Sequence, residues 1–123
     1  MTATIMVVDD SALIRTQVKR VLKKAGYNTV EAVDGQDACE KFEQGGPLAM
    51  IVCDVNMPRM NGLELLEYLR GDLDTDVPMV MLTTEGRPEI VRRARELGSH
   101  GWLIKPVKEH LLLATVEAVL SRG

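Results

Sequence analysis

No apolar run in this 123-residue chain approaches the roughly 20 residues needed to cross a bilayer. The amino terminus, MTATIMVVDD, has no basic segment and meets acid after four apolar residues, so no secretory signal is expected. A basic excess is missing as well. The 15 Lys and Arg stand against 18 Asp and Glu, a net charge of −3, so bulk electrostatics give no reason to expect direct nucleic-acid binding. Only two cysteines occur, Cys39 and Cys53, each inside an apolar pattern. They read as buried free thiols in a reducing compartment, and with the missing signal they point to a cytoplasmic protein. No linker, repeat or low-complexity tract divides residues 1–123, so a single domain with its own core is expected.

What is present is an alternation. The fully apolar runs Ile5–Val8, Leu48–Cys53 and Val77–Leu82 suit strands buried on both faces, and Trp102–Ile104 is a shorter run of the same kind. Asn28–Ala32 is a weaker strand. Segments with helical spacing lie between them. Ser11 can cap a helix carrying Leu13, Ile14, Val18, Val21, Leu22 and Ala25 and ending at Gly26. Gly35–Gln44, Gly62–Arg70, the segment from Pro88 to Leu97, and Val107–Leu120 complete the set, the last directing Leu111, Leu112, Ala114, Ala118 and Val119 to the core. Five strand–helix units predict an α/β fold with a five-stranded parallel sheet and helices on both faces.

Four apolar runs finish on reactive side chains: Asp9 and Asp10, Asp54, Thr83, and Lys105. Parallel strands place their carboxyl ends on one edge, where open α/β folds bind ligands. Three carboxylates gathered there would repel, and Mg²⁺ with oxygen ligands is the natural remedy. With Lys105 and a Thr hydroxyl beside them, the set suits a phosphoryl group, and a remaining carboxylate can act as nucleophile. Taken singly, each residue has an ordinary reading: Asp10-Ser11, Thr83 and Thr84 as helix caps, Lys105 as a solvated side chain. The coincidence at four strand ends carries the functional reading.

These residues resemble a response-regulator receiver domain of two-component signalling, most closely the standalone chemotaxis (CheY-like) type. The acidic pair after the first strand, D-x-N-M-P at Asp54–Pro58, the Thr after the fourth strand and K-P after the fifth carry the resemblance, which spans nearly the whole chain. It implies a flavodoxin-like strand order 2-1-3-4-5. It also implies that Asp54 accepts the phosphoryl group, and that Asp10, Asp54 and the backbone carbonyl of Asn56 ligate Mg²⁺ (with Mn²⁺ able to substitute). Asp9 would act through a metal-bound water, Lys105 would contact phosphoryl oxygens, and Thr83 would move to bond them. Pro106 is expected to follow a cis peptide bond that aims Lys105. Asn56 and Glu85 flank the hydrolytic water in the family.

Some positions depart from the usual pattern. Trp102 stands where Tyr or Phe is common, leaving inward rotation and fixed packing both open. Thr84 is bulkier than the usual small residue and would narrow access to Asp54. The resemblance further implies a sensor histidine kinase as donor and a downstream protein target, a flagellar switch or other effector, reached through helix 4, strand 5 and helix 5. Helix 4 offers Arg87, Arg92, Arg93 and Arg95 there, as a solvated face or a docking site for an acidic partner. A monomer without membrane contact is expected. A receiver from a longer DNA-binding regulator and a phosphorelay shuttle are the alternatives. A haloacid-dehalogenase-type enzyme is disfavoured because Asn56 stands where its second Asp would be, and no glycine-rich loop after the first strand supports a nucleotide or flavin site.

Overall fold

The structure, a computed structural model, describes residues 3–57, 59–84 and 87–121. Five strands and five helices alternate: β1 (Thr4–Val8), α1 (Ala12–Lys24), β2 (Asn28–Ala32), α2 (Gly35–Glu43), β3 (Met50–Asp54), α3 (Gly62–Arg70), β4 (Met79–Thr83), α4 (Pro88–Glu96), β5 (Gly101–Ile104) and α5 (Glu109–Ser121). All strand pairs are parallel and the order is β2-β1-β3-β4-β5, as expected.

Side chains alternate across the sheet and divide the core in two. Ile5, Val7, Met50, Val52, Val80 and Leu82 meet α1 and α5, while Met6, Val8, Ile51, Cys53, Met79 and Met81 meet α2, α3 and α4. Coverage on both faces explains why the central strands are apolar throughout. Each large side chain buried this way contributes about 1.5–3 kcal/mol. Both cysteines are buried free thiols.

The structure corrects several sequence expectations. β3 and β4 each start two residues later than their apolar runs and include the polar residue at the end, so Asp54 and Thr83 belong to the strands. For β4 the reason is Pro78, which has no N–H for the ladder. In α5 the buried residues are Leu112, Val116 and Val119, a four- and three-residue step, whereas Leu111, Ala114 and Ala118 are exposed. In α1 only Val18 and Leu22 are fully buried, and Leu13 and Ala25 are exposed. Thr83 and Thr84 do not cap α4, whose N-cap is Arg87 without a side-chain cap bond. Ser11 does cap α1, accepting from the Ile14 N–H at 3.3 Å.

Candidate functional site: a carboxylate–lysine rim

The carboxyl ends of β1, β3, β4 and β5 bring Asp9, Asp54, Thr83 and Lys105 to one rim. Asp9 is wholly buried, and Asp54 and Thr83 nearly so, at 4% and 2% exposure. Every polar group of Asp9 is engaged. Its Oδ1 accepts the Ser11 N–H at 2.9 Å and its Oδ2 accepts Lys105 Nζ at 2.8 Å. Its N–H donates to the Ala32 carbonyl, and its own carbonyl accepts Arg15 Nη1 at 2.7 Å.

Lys105 Nζ also lies 3.3 Å from Asp54 Oδ1, so one ammonium bridges two buried carboxylates. That oxygen further accepts the Asn56 N–H at 3.3 Å. Lys105 is directed here from the end of β5, where its N–H donates to the Thr83 carbonyl, and the Lys105–Pro106 bond is cis. Asp10 and Asn56 are solvent-exposed beside the buried pair, and Thr84 is exposed next to Thr83.

Burial lifts the Asp54 carboxyl above its ordinary pKa and the charge of Asp9 lifts it further, while Lys105 opposes both without cancelling them. For Lys105 burial works downward, but the hydrogen bond and charge of Asp9 prevail and hold it above the usual lysine value. Burial pushes the adjacent Cys53 thiol well up, which leaves it an inert neutral group.

Asp9, Asp10 and Asp54 each offer an oxygen within 4.8 Å of the others. Three hard oxygen donors, two of them buried and mutually repelling, fit a Mg²⁺ ion, whose charge would offset the repulsion that raises Asp54.

The remaining expected residues fall elsewhere. Trp102 on β5 is half-buried against the α4 side of the sheet, and its Nε1 is buried without a hydrogen-bond partner. It borders a cleft of about 200 Å³ that Val91, Ala94, Arg95 and His100 also line. Arg87, Arg92, Arg93 and Arg95 are exposed at or on α4, but Arg93 is paired with Glu67 of α3 at 2.5 Å. Pro58 and Glu85 lie outside the described residues.

Two supports lie outside the sequence expectations. Arg15 holds the Asp9 carbonyl and pairs with Glu31, which Lys19 also contacts at 2.6 Å. Arg59 forms a two-pronged pair with Asp34 across 25 residues of chain. For Arg15, its place one turn after the acidic pair is a usable signal; for Arg59 there is none.

The response regulator receiver domain profile matches residues 5–117. The chain belongs to this family. It is 36% identical over 119 residues to chemotaxis protein CheY1 of Helicobacter pylori, covering 95% of this chain and 96% of the relative. It is 35% identical over 121 residues to the chemotaxis protein CheY homolog of Campylobacter jejuni, covering 97% and 93%. Among solved structures, chemotaxis protein CheY4 of Vibrio cholerae superimposes with a TM-score of 0.90 at 38% identity, covering 97% and 99%. The receiver is thus CheY-like in fold and in its relatives, a signalling domain. No described helix is long and apolar enough to cross a membrane.

Proposed function

We propose that this receiver is a single-domain phospho-accepting switch of the chemotaxis type, cytoplasmic and monomeric, that takes its phosphoryl group from a histidine kinase onto Asp54. The observation that carries the reading is the ammonium of Lys105 held between the buried carboxylates of Asp9 and Asp54. A structural ion pair needs one carboxylate; two at a strand-end rim, with a third exposed beside them, suit a site that receives a multiply charged ligand.

In the transfer, an Asp54 oxygen forms the new O–P bond as the donor's P–N bond breaks, and the departing imidazole takes up a proton from solvent. Asp54 performs this as the anion, and its low exposure leaves the attacking oxygen poorly hydrated. Asp10, Asp54 and the Asn56 carbonyl would hold Mg²⁺, with Asp9 acting through water. When bound, the ion supplies charge neutralisation for the phosphoryl oxygens. Lys105 is placed to turn from Asp9 toward those oxygens, and the Thr83 hydroxyl donates to one of them. Hydrolysis returns Asp54 and releases inorganic phosphate, with Asn56 and Glu85 setting the lifetime and Thr84 restricting access. Beyond catalysing its own phosphotransfer and dephosphorylation, the protein acts by binding.

The response runs through Thr83 to Trp102 and to the α4–β5–α5 face, where a downstream protein such as a flagellar switch component docks. Arg92 and Arg95, exposed on α4, favour an acidic partner. Arg93 is committed to Glu67 and contributes less.

The test is incubation with acetyl phosphate and Mg²⁺. One acid-stable, base-labile phosphoryl group per chain is expected, lost on chelation and in Asp54→Ala. Undiminished labelling of Asp54→Ala would overturn the assignment.

A further inference from the structure

The β3–α3 loop leaves the rim at Val55 and returns at Gly62. Its base is closed by the Gly62 N–H donating to the Val55 carbonyl at 3.0 Å. A Cβ on Gly62 would stand 2.5 Å from the Asp54 carbonyl oxygen, so α3 begins hard against the end of β3. Asn56 lies just beyond this base.

The far side of the loop is fastened to the start of α2. Arg59 Nε donates to Asp34 Oδ2 at 2.7 Å and Arg59 Nη2 donates to Asp34 Oδ1 at 3.0 Å. The Gly35 N–H donates to the Met60 carbonyl at 3.0 Å, and a Cβ on Gly35 would come within 2.6 Å of that oxygen. Cys39 Sγ lies 3.7 Å from Met60 Sδ. Arg59 adopts φ 63°, a left-handed conformation unfavourable for a residue with a Cβ. It is kept there although its side chain is 58% exposed, because Asp34 beneath it is 5% exposed and would otherwise be a buried carboxylate without a cation. The Arg59 hydrogen bonds hold Asp34 below the usual carboxylate range. Asp34 Oδ1 also caps α2 through the Asp37 N–H at 2.9 Å.

We propose that the Arg59–Asp34 pair is a positioning latch for the cation site: by fixing the loop between its closed base and α2, it sets where the Asn56 backbone stands relative to the Asp54 carboxylate. This rests on the reading of the rim as a Mg²⁺ site. Arg59 is a positioning residue, acting through the loop without touching the ion. An arginine is required because only the planar guanidinium engages both carboxylate oxygens at once.

The test is Mg²⁺ titration calorimetry on the parent protein, Arg59→Gly, Arg59→Lys, Asp34→Asn, and the double variant Arg59→Gly/Asp34→Asn, with metal-free thermal melts alongside. Glycine accepts φ 63° and so removes the latch without opposing the backbone. The Kd for Mg²⁺ is expected to rise about ten-fold in Arg59→Gly, the scale set by groups that orient metal ligands indirectly. Lysine is expected to recover only part of this, and the double variant to lose no more than the worse single one, since one interaction is removed in each. The melts report folding separately, and Arg59→Lys keeps the test open should the glycine variant fold poorly. Affinities within about two-fold of the parent in both Arg59 variants would overturn the latch while leaving the Mg²⁺ site intact. A parent protein that binds no Mg²⁺, or binds it equally after Asp54→Ala, would overturn the underlying reading and the latch with it.

Discussion

The β1–β3 end of the sheet and its β5 edge are built on opposite terms. At β1–β3 the charged groups are buried and committed: Asp9 has a partner at each polar atom, and Lys105 spans Asp9 and Asp54. At β5 no residue is fully buried, Ile104 is half exposed, and Trp102 carries a buried N–H without a partner beside an open cleft. Chemistry on a carboxylate demands fixed charges at fixed distances. A response to that chemistry demands an element whose two arrangements differ little in free energy. On the proposed reading the paired charges at the centre of the sheet suit the first, and the loosely held strand at its margin suits the second.

The sharpest way to break this contrast is to remove the ammonium. Lys105→Ala leaves two buried carboxylates facing one another and is expected to destabilise the fold by about 3 kcal/mol in urea unfolding at neutral pH. The loss should shrink in Mg²⁺. A cost below about 1 kcal/mol, the range of surface pairs, would show that the rim is not held by its charges.

Asp54→Asn should act in the opposite direction. Asp54 titrates above its ordinary value of 3.8 because burial and Asp9 disfavour its charge. The folded state therefore binds this proton more tightly than the unfolded chain. The resulting penalty is absent below the ordinary value and grows as pH rises through the folded pKa. The neutral amide should therefore raise the metal-free melting temperature at pH 7 by a few degrees and leave it little changed near pH 3. Equal melting temperatures for parent and variant at pH 7 would contradict the electrostatic account.

The smallest effect is expected at the margin. Trp102→Phe removes the unpartnered N–H and some contact area, two changes of opposite sign, so its net cost should stay within about 1 kcal/mol. A larger loss would make Trp102 a fixed part of the core and leave β5 poorly suited to a switch.

The same contrast governs what the sequence can reveal. Central strands covered on both faces must be apolar throughout, so β1, β3 and β4 stand out, and the reactive residues that end them can be placed on one rim before any coordinates. The weakly patterned edge strand β2 is nonetheless legible from Asn28 to Ala32. Helix faces are harder. Leu111 and Leu13 follow helical spacing yet face solvent, because a predominantly apolar stretch such as α5 does not say which of its apolar stripes meets the sheet. Least legible are contacts made across the chain by surface arginines. Arg59 reaches Asp34 only because the β3–α3 loop folds over α2, a consequence of tertiary packing with no local pattern.

The central claim is that Asp54 itself carries the phosphoryl group. Treating acetyl phosphate-loaded protein with borohydride, which reduces an aspartyl phosphate to homoserine, and sequencing the peptides by mass spectrometry tests it most directly. Homoserine is predicted at position 54 and nowhere else. Homoserine at position 9 or 10, or unmodified Asp54 in protein that demonstrably took up phosphate, would contradict it.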